Sequence, residues 1–266
     1  MYKSKMKLCV IAGLLLLGNL CLAGNRWTGK KVAVLGDSIS DSIHVGTDKC
    51  WWEMLSDSLG LQTFCYAKNG WTVEGMQTQA QWLLEEEKNS GRKFDLILIF
   101  GGTNDFNSQV PLGEFYSLER AVVSRDGQPT ESLHRVLNFD NGTFCGRLNN
   151  LLSTLKNNCP DARILILTPI HRGFAQFGAT NEQPEETWSN RAGLFLDDYL
   201  DKIEQASRLW AVPVLDLNVQ CELYPVSPAY DNYFHDRDTD RLHPNTAGHR
   251  RMALAIQGYL EHLFPW

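Results

Sequence analysis

Two short runs constrain the fold of this chain more than any other feature: residues 94–100, FDLILIF, and residues 162–168, ARILILT, are apolar at nearly every position. A strand with one wet face alternates between apolar and polar residues, whereas a run with little alternation belongs to a strand covered on both faces, as in a parallel sheet between helical layers. Residues 31–35 (KVAVL) and 61–67 read as further strands, and residues 212–215 as a short one that Pro213 assigns to a sheet edge. Helical patterns alternate with them at residues 49–59, 73–88, 143–157, 187–209 and 245–260. Strand then helix, five times over, predicts an α/β fold: a three-layer α/β/α sandwich on a doubly wound, parallel five-stranded sheet. With 266 residues, 43% of them hydrophobic, the chain suffices for one domain with one substantial core. Residues 106–140, with Pro111, Gly127 and Pro129, are the least regular stretch and are expected to form an insertion beside the site.

The first residues form a separate segment. Lys3, Lys5 and Lys7 precede an apolar run at 8–22 that ends Cys21-Leu22-Ala23, which predicts a secretory signal cleaved after Ala23 and a secreted or periplasmic mature protein at 24–266. The run is short and interrupted by Gly18 and Asn19, which argues against a membrane anchor, and the bulky Leu20 before Cys21 argues against a lipid anchor. Removing those three lysines takes the net charge from -6 to about -9. An acidic chain without a basic block argues against nucleic acid or an anionic membrane surface as partner. Cys50, Cys65, Cys145, Cys159 and Cys221 then remain, an odd count that leaves at least one thiol unpaired whatever disulfides form. No C-x-x-C pair occurs, and His44, His235, Asp236 and Asp238 have no spacing that places three on one element, so no metal is expected.

In a parallel sheet the segments after the strands gather on one rim. Here they are Gly36-Asp37-Ser38, Asn69-Gly70, residues 101–105 and residues 169–172, with Asp240 and His243 arriving before the last helix. A serine becomes a nucleophile when a histidine takes its proton and a third group fixes that histidine's tautomer. Asp240 and His243, three residues apart, can present both groups to one small volume, although the pair reads equally well as a cap of the last helix. The Ser38 and Gly70 backbone N–H groups and the Asn104 side-chain amide are placed to donate to an oxyanion. Gly70 also reads as an ordinary turn glycine, and Asn104 with Asp105 as a helix cap.

In order and spacing, the GDS of residues 36–38, the lone Gly70, the G-x-N-D of residues 102–105 and the D-x-x-H-P of residues 240–244 resemble the four blocks of the GDSL-type, or SGNH, hydrolases. The resemblance spans residues 31 to about 260. It implies Ser38 as nucleophile and oxyanion donor, Gly70 and Asn104 as the other donors, His243 as base, Asp240 as its orienting acid, and no cofactor. A cofactor-binding doubly wound domain is also argued against by the missing glycine fingerprint after the first strand. Ile39 stands where many members carry leucine, and the segment at 106–140 is unlike the compact members.

Asp37, Trp71 and His171 are further candidates for substrate contact, with Asp37 more suited to holding the turn that exposes Ser38. The family includes lipases, thioesterases, arylesterases and polysaccharide deacetylating enzymes. No long apolar loop offers a lipid lid, whereas Trp51, Trp52, Trp71 and Trp188 and Tyr224, Tyr230 and Tyr233 have polar neighbours and suit a sugar ring. The expectation is therefore a carbohydrate O-acetyl esterase acting on a small-molecule or polysaccharide ester. A lipase or thioesterase of the same fold, or a secreted carbohydrate-binding protein without turnover, are the alternatives. The bland reading of Trp51 and Trp52 is core and lid packing.

Overall fold

The structure is a computed structural model that describes residues 25–262. The predicted signal segment at 1–23 lies outside the described residues. In chain order the elements are β1 (Lys31–Gly36), α1 (Trp51–Leu59), β2 (Gln62–Cys65), α2 (Val73–Ser90), β3 (Leu96–Phe100), α3 (Thr103–Asn107), β4 (Tyr116–Arg125), β5 (Gln128–Leu137), α4 (Phe144–Asn158), β6 (Arg163–Leu167), β7 (Ala175–Gln176), β8 (Glu182–Gln183), α5 (Leu196–Trp210), β9 (Val214–Leu215), α6 (Leu217–Gln220), β10 (Phe234–Asp236), β11 (Asp240–Pro244) and α7 (Thr246–His262).

The central sheet has five parallel strands in the order β2-β1-β3-β6-β9. β3 lies in its middle and is buried at every position, as the unbroken apolar run requires. Alternate residues of each strand feed two separate cores. Ala33, Leu35, Ile97, Ile99, Ile164 and Ile166 pack against α2, α4 and α5, while Val32, Val34, Leu96, Leu98, Phe100, Leu165 and Leu167 pack against α1 and α7. The result is the three-layer α/β/α sandwich. β9 occupies an edge, as Pro213 demands.

Three regions differ from the sequence reading. Residues 116–137 are a regular antiparallel hairpin of two ten-residue strands, closed by Asp126 (φ 52°) and Gly127 (φ 77°). Period-2 patterning reveals a strand only when one face is buried, and here Leu118, Val122 and Leu133 lie exposed. Helix α5 begins at Leu196 and not near residue 187, because the Asn190 side chain accepts the N–H groups of Ala192 (3.0 Å) and Leu194 (3.1 Å) and offers the backbone a turn in place of a helix. The segment at 217–244, expected as loop, carries α6, a 3-10 turn at Pro228–Tyr233, and the strands β10 and β11.

β11 pairs with β10 on one side and β7 on the other, forming a small second sheet continued by β8. Gly173 N–H donates to the Arg241 carbonyl (2.9 Å), Arg241 N–H to Phe174 (2.9 Å) and Gln176 N–H to Thr239 (2.8 Å). A Cβ at Gly173 would lie 2.6 Å from that of Arg241, so only glycine permits this approach. The chain leaving β6 is thereby stitched to β11, and this sheet carries Asp240 and His243 to the rim where β1 ends. All five described cysteines are free thiols. No described helix is long and apolar enough to cross a membrane.

Candidate active site

Ser38 sits two residues beyond β1, on a turn closed by the Ser40 N–H to the Asp37 carbonyl (3.0 Å) and the Ile39 N–H to Asp37 Oδ1 (3.1 Å). The strand end beneath it is clamped by the buried Gln79 of α2, whose Oε1 accepts the Gly36 N–H and whose Nε2 donates to the Gly36 carbonyl, both at 2.8 Å. Ser40 receives the indole N–H of Trp51 on its hydroxyl (3.1 Å) and that of Trp52 on its carbonyl (2.9 Å). Trp51 is wholly buried and therefore belongs to the core, which corrects its consideration as a sugar platform.

Ser38 Oγ lies 2.9 Å from His243 Nε2, and His243 Nδ1 lies 2.9 Å from Asp240 Oδ2 and 3.1 Å from Oδ1. Asp240 Oδ1 also accepts the N–H groups of Leu242 (3.2 Å) and His243 (3.0 Å), which fixes the carboxylate against the imidazole. The three residues are buried, at 5%, 4% and 6% exposure, so little water competes for these contacts. The cap of α7 is Asn245, whose Oδ1 accepts the N–H groups of Ala247 (2.9 Å) and Gly248 (3.2 Å). Asp240 and His243 instead sit on a strand, with side chains available to Ser38. The Phe177 ring, at the tip of the β7–β8 hairpin, stands 5.4 Å from the His243 ring.

Gly70 adopts φ 76°, a left-handed conformation that disfavours other residues, and no atom lies within 4 Å of where its Cβ would be. Its need for glycine is set by the dihedral and not by crowding. Asn104 Nδ2 donates to the Trp71 carbonyl (3.0 Å), so α3 holds the turn that carries Gly70. Asp105 caps a helix, but a remote one: its Oδ2 accepts the Val73 N–H at the start of α2 (2.8 Å), while Oδ1 meets Arg147 (2.9 Å). Burial pushes the Asp105 carboxyl up to about 6, against the pull of Val73 and Arg147.

Asp37 is wholly buried, and burial pushes its carboxyl up to about 7, against the lowering effects of the Ile39 N–H and of His243. The Trp71 ring is half-buried and tilted against Trp82 at 5.3 Å. His171 pairs through Nδ1 with Glu186, whose other oxygen accepts the Arg172 N–H (2.8 Å). Burial works to lower the His171 pKa, but the hydrogen bond and charge of Glu186 raise it overall. Among the described residues, His235, Asp236 and Asp238 do not share a cluster of ligand atoms with His44. Its ligand atom converges instead with those of Cys50 and Glu53, where Glu53 accepts both the Cys50 N–H and the His44 ring contact at 2.7 Å.

Residues 34–251 match the model of the GDSL-like lipase/acylhydrolase family. The chain belongs to that family. It is an ester hydrolase of the GDSL, or SGNH, type. Among solved structures it is similar to a protein from Lactobacillus plantarum at 27% identity, covering 90% of this chain and 99% of that one with a TM-score of 0.69. It is also similar to a possible lipase from Chitinophaga pinensis (18% identity, 88% and 98% covered, TM-score 0.61). A third is the salicylyl-acyltransferase of a tetracycline biosynthetic pathway (16%, 90% of this chain and 57% of that one, TM-score 0.56). The last two share the fold. No curated protein matches the chain.

Asp41, Gln79 and Phe177 are the contributors that sequence reasoning did not single out. Asp41 and Gln79 are ordinary polar residues until the packing shows what they bond, and Phe177 lies in a stretch read as polar loop. No local pattern marks any of them.

Proposed function

We propose that this hydrolase is a secreted carbohydrate O-acetyl esterase in which Ser38, His243 and Asp240 carry the reaction. Ser38 Oγ attacks the ester carbonyl and its proton passes to His243 Nε2, while Asp240 holds Nδ1 and stabilises the imidazolium. Negative charge developing on the carbonyl oxygen meets the Ser38 N–H, the Gly70 N–H and the Asn104 amide. His243 then gives its proton to the departing alcohol. Water attacks the acyl-serine by the reverse route, with His243 taking the water's proton and returning it to Ser38, which releases the carboxylic acid.

The observation that carries this reading is the continuous chain of contacts from Ser38 Oγ through His243 to Asp240, each link at 2.9 Å. Two further features support it. Among the described residues, neither the Ser38 nor the Gly70 N–H has an acceptor. Asn104 uses one of its two amide hydrogens on Trp71 and keeps the second. For the carbohydrate alcohol, the support is the exposed Trp188 and Phe177 and the polar surroundings of the rim.

An acyl-chain series of p-nitrophenyl esters, with acetate release from acetylated xylan and the Ser38→Ala variant as control, tests enzyme, nucleophile and acyl size together. We expect acetyl to be preferred and Ser38→Ala to lose about 10³-fold or more in kcat/KM. Preference for chains of eight carbons or longer refutes the acetyl assignment in favour of a lipase or thioesterase. Full activity of Ser38→Ala refutes the assigned nucleophile.

A further inference from the structure

A cleft of about 460 Å³ is lined by residues from 106–109, 180–184 and 188–191. Two of these segments adjoin ones that carry the proposed reaction centre. Asn107 follows Asn104 by three residues on α3, and Asn181 accepts, through its carbonyl, the N–H of Phe177, the residue whose ring stands against His243. Five carboxamide side chains line it: Asn107, Gln109, Asn181, Gln183 and Asn190. Three of these are locked. Gln183 accepts from the buried Arg172 (2.7 Å) and donates to Asn181 Oδ1 (2.9 Å), and Asn190 donates to the Phe106 carbonyl (2.9 Å). The amides of Asn107 and Gln109 have no hydrogen-bond partner among the described residues. Gln109 is held at φ 59°, a conformation that side-chain-bearing residues adopt rarely and that gathers at functional sites. At the mouth stands Trp188, 67% exposed.

We infer that this cleft binds the alcohol part of the substrate as a neutral sugar ring, with Trp188 as the stacking platform and the amides of Asn107 and Gln109 as the hydroxyl contacts. The assignment rests on the carbohydrate reading above and names the site for it. A carboxamide presents a donor and an acceptor side by side, as a sugar hydroxyl does, whereas an acyl tail offers neither and would leave the amides of Asn107 and Gln109 unsatisfied. Glu182 and Arg191 bring one charge of each sign, so the cleft has no net pull on an ionic ligand. A volume of this size lies within the range of small-molecule sites and accommodates a sugar unit together with its neighbour.

The test compares Trp188→Ala and Asn107→Ala with the unmodified protein. Trp188 is so exposed that its truncation leaves the core intact. With O-acetylated xylotriose as substrate, Trp188→Ala lowers kcat/KM about tenfold, chiefly through KM, and lowers that of ethyl acetate, whose alcohol has no ring to stack, by much less. Asn107→Ala follows the same split. Equal loss on both substrates, or no loss on the oligosaccharide, overturns the assignment of the cleft while leaving the deacetylase reading standing. Calorimetric titration of the Ser38→Ala variant with xylotriose separates the two claims from the other side. If binding disappears with Trp188→Ala in a protein that releases no acetate from acetylated oligosaccharides, the cleft assignment holds and the deacetylase reading fails. Absence of both binding and turnover overturns both.

Discussion

Asp41 Oδ2 accepts the backbone N–H of Asn69 at 2.7 Å, so the turn that presents Gly70 hangs from the segment that presents Ser38. The other oxygen of Asp41 accepts the Ile43 N–H at 3.2 Å and anchors the carboxylate itself. Asn104 meets the same turn from the opposite side through the Trp71 carbonyl. The turn of one proposed oxyanion donor, Gly70, is therefore positioned by a buried acid, Asp41. Asp41→Ala is expected to lower kcat about tenfold or more for p-nitrophenyl acetate with little change in KM, because displacement of a donor by a fraction of an ångström weakens only the transition state. Asp41→Asn, which keeps one acceptor, is expected to recover part of the loss. A rise in KM at constant kcat would contradict the positioning role.

Asp37 directly precedes Ser38, the proposed nucleophile, and its Oδ2 lacks any hydrogen bond among the described residues. Burial raises its carboxyl to about 7, with Asp105 raising it further and the Ile39 N–H and His243 opposing. Between about pH 4 and 7 the folded protein keeps a proton that the unfolded chain has lost, so stability falls as pH rises through that window. Asp37→Asn removes this slope. Its melting temperature, compared with that of the unmodified protein, should gain steadily from pH 4 to pH 8, and an offset that is the same at both ends would refute the buried neutral acid.

His249 has the opposite sign. It is wholly buried on α7, accepts the Trp51 N–H on Nδ1 at 3.2 Å, and burial pushes its pKa down to about 3. The unfolded chain takes up a proton near pH 6.5 that the folded state refuses, so stability is lost as pH falls from about 6.5 to 3. His249→Gln should unfold less steeply with acid over that range. Thermal melts at pH 6.5 and 4 check this, and equal acid sensitivity of variant and parent would count against it.

The β4–β5 hairpin buries almost nothing beyond its base, where Asn149 Nδ2 donates to the Phe115 carbonyl at 2.8 Å. Joining Tyr116 to Leu137 by Asn-Gly in place of residues 117–136 should therefore shift the melting temperature by no more than about 3 °C. Hydrolysis of p-nitrophenyl acetate should stay within about twofold, since a hairpin is here a satellite of the core. A tenfold loss of activity with an unchanged melting temperature would place the hairpin over the reaction centre.

The apolar runs at β3 and β6 determined the parallel sheet by themselves, because a strand buried on both faces cannot alternate and a parallel neighbour requires a crossover. The four short blocks carrying Ser38, Gly70, Asn104, Asp240 and His243 were likewise legible as candidates, since their chemistry is written in residue type, and the place of the first three follows from the strand ends. The hairpin was not, because a strand with two wet faces has no hydrophobic period to display. Nor was the start of α5, where one asparagine side chain outcompeted the helix for its own backbone. Tertiary structure alone decided that Asp240 and His243 ride on a strand stitched to the exit of β6, that Gly70 is held by Asp41, and that five dispersed amides share one cleft. Those relationships join residues dozens to hundreds of positions apart, and no local pattern encodes a contact whose partners meet only when two separate cores close on one sheet.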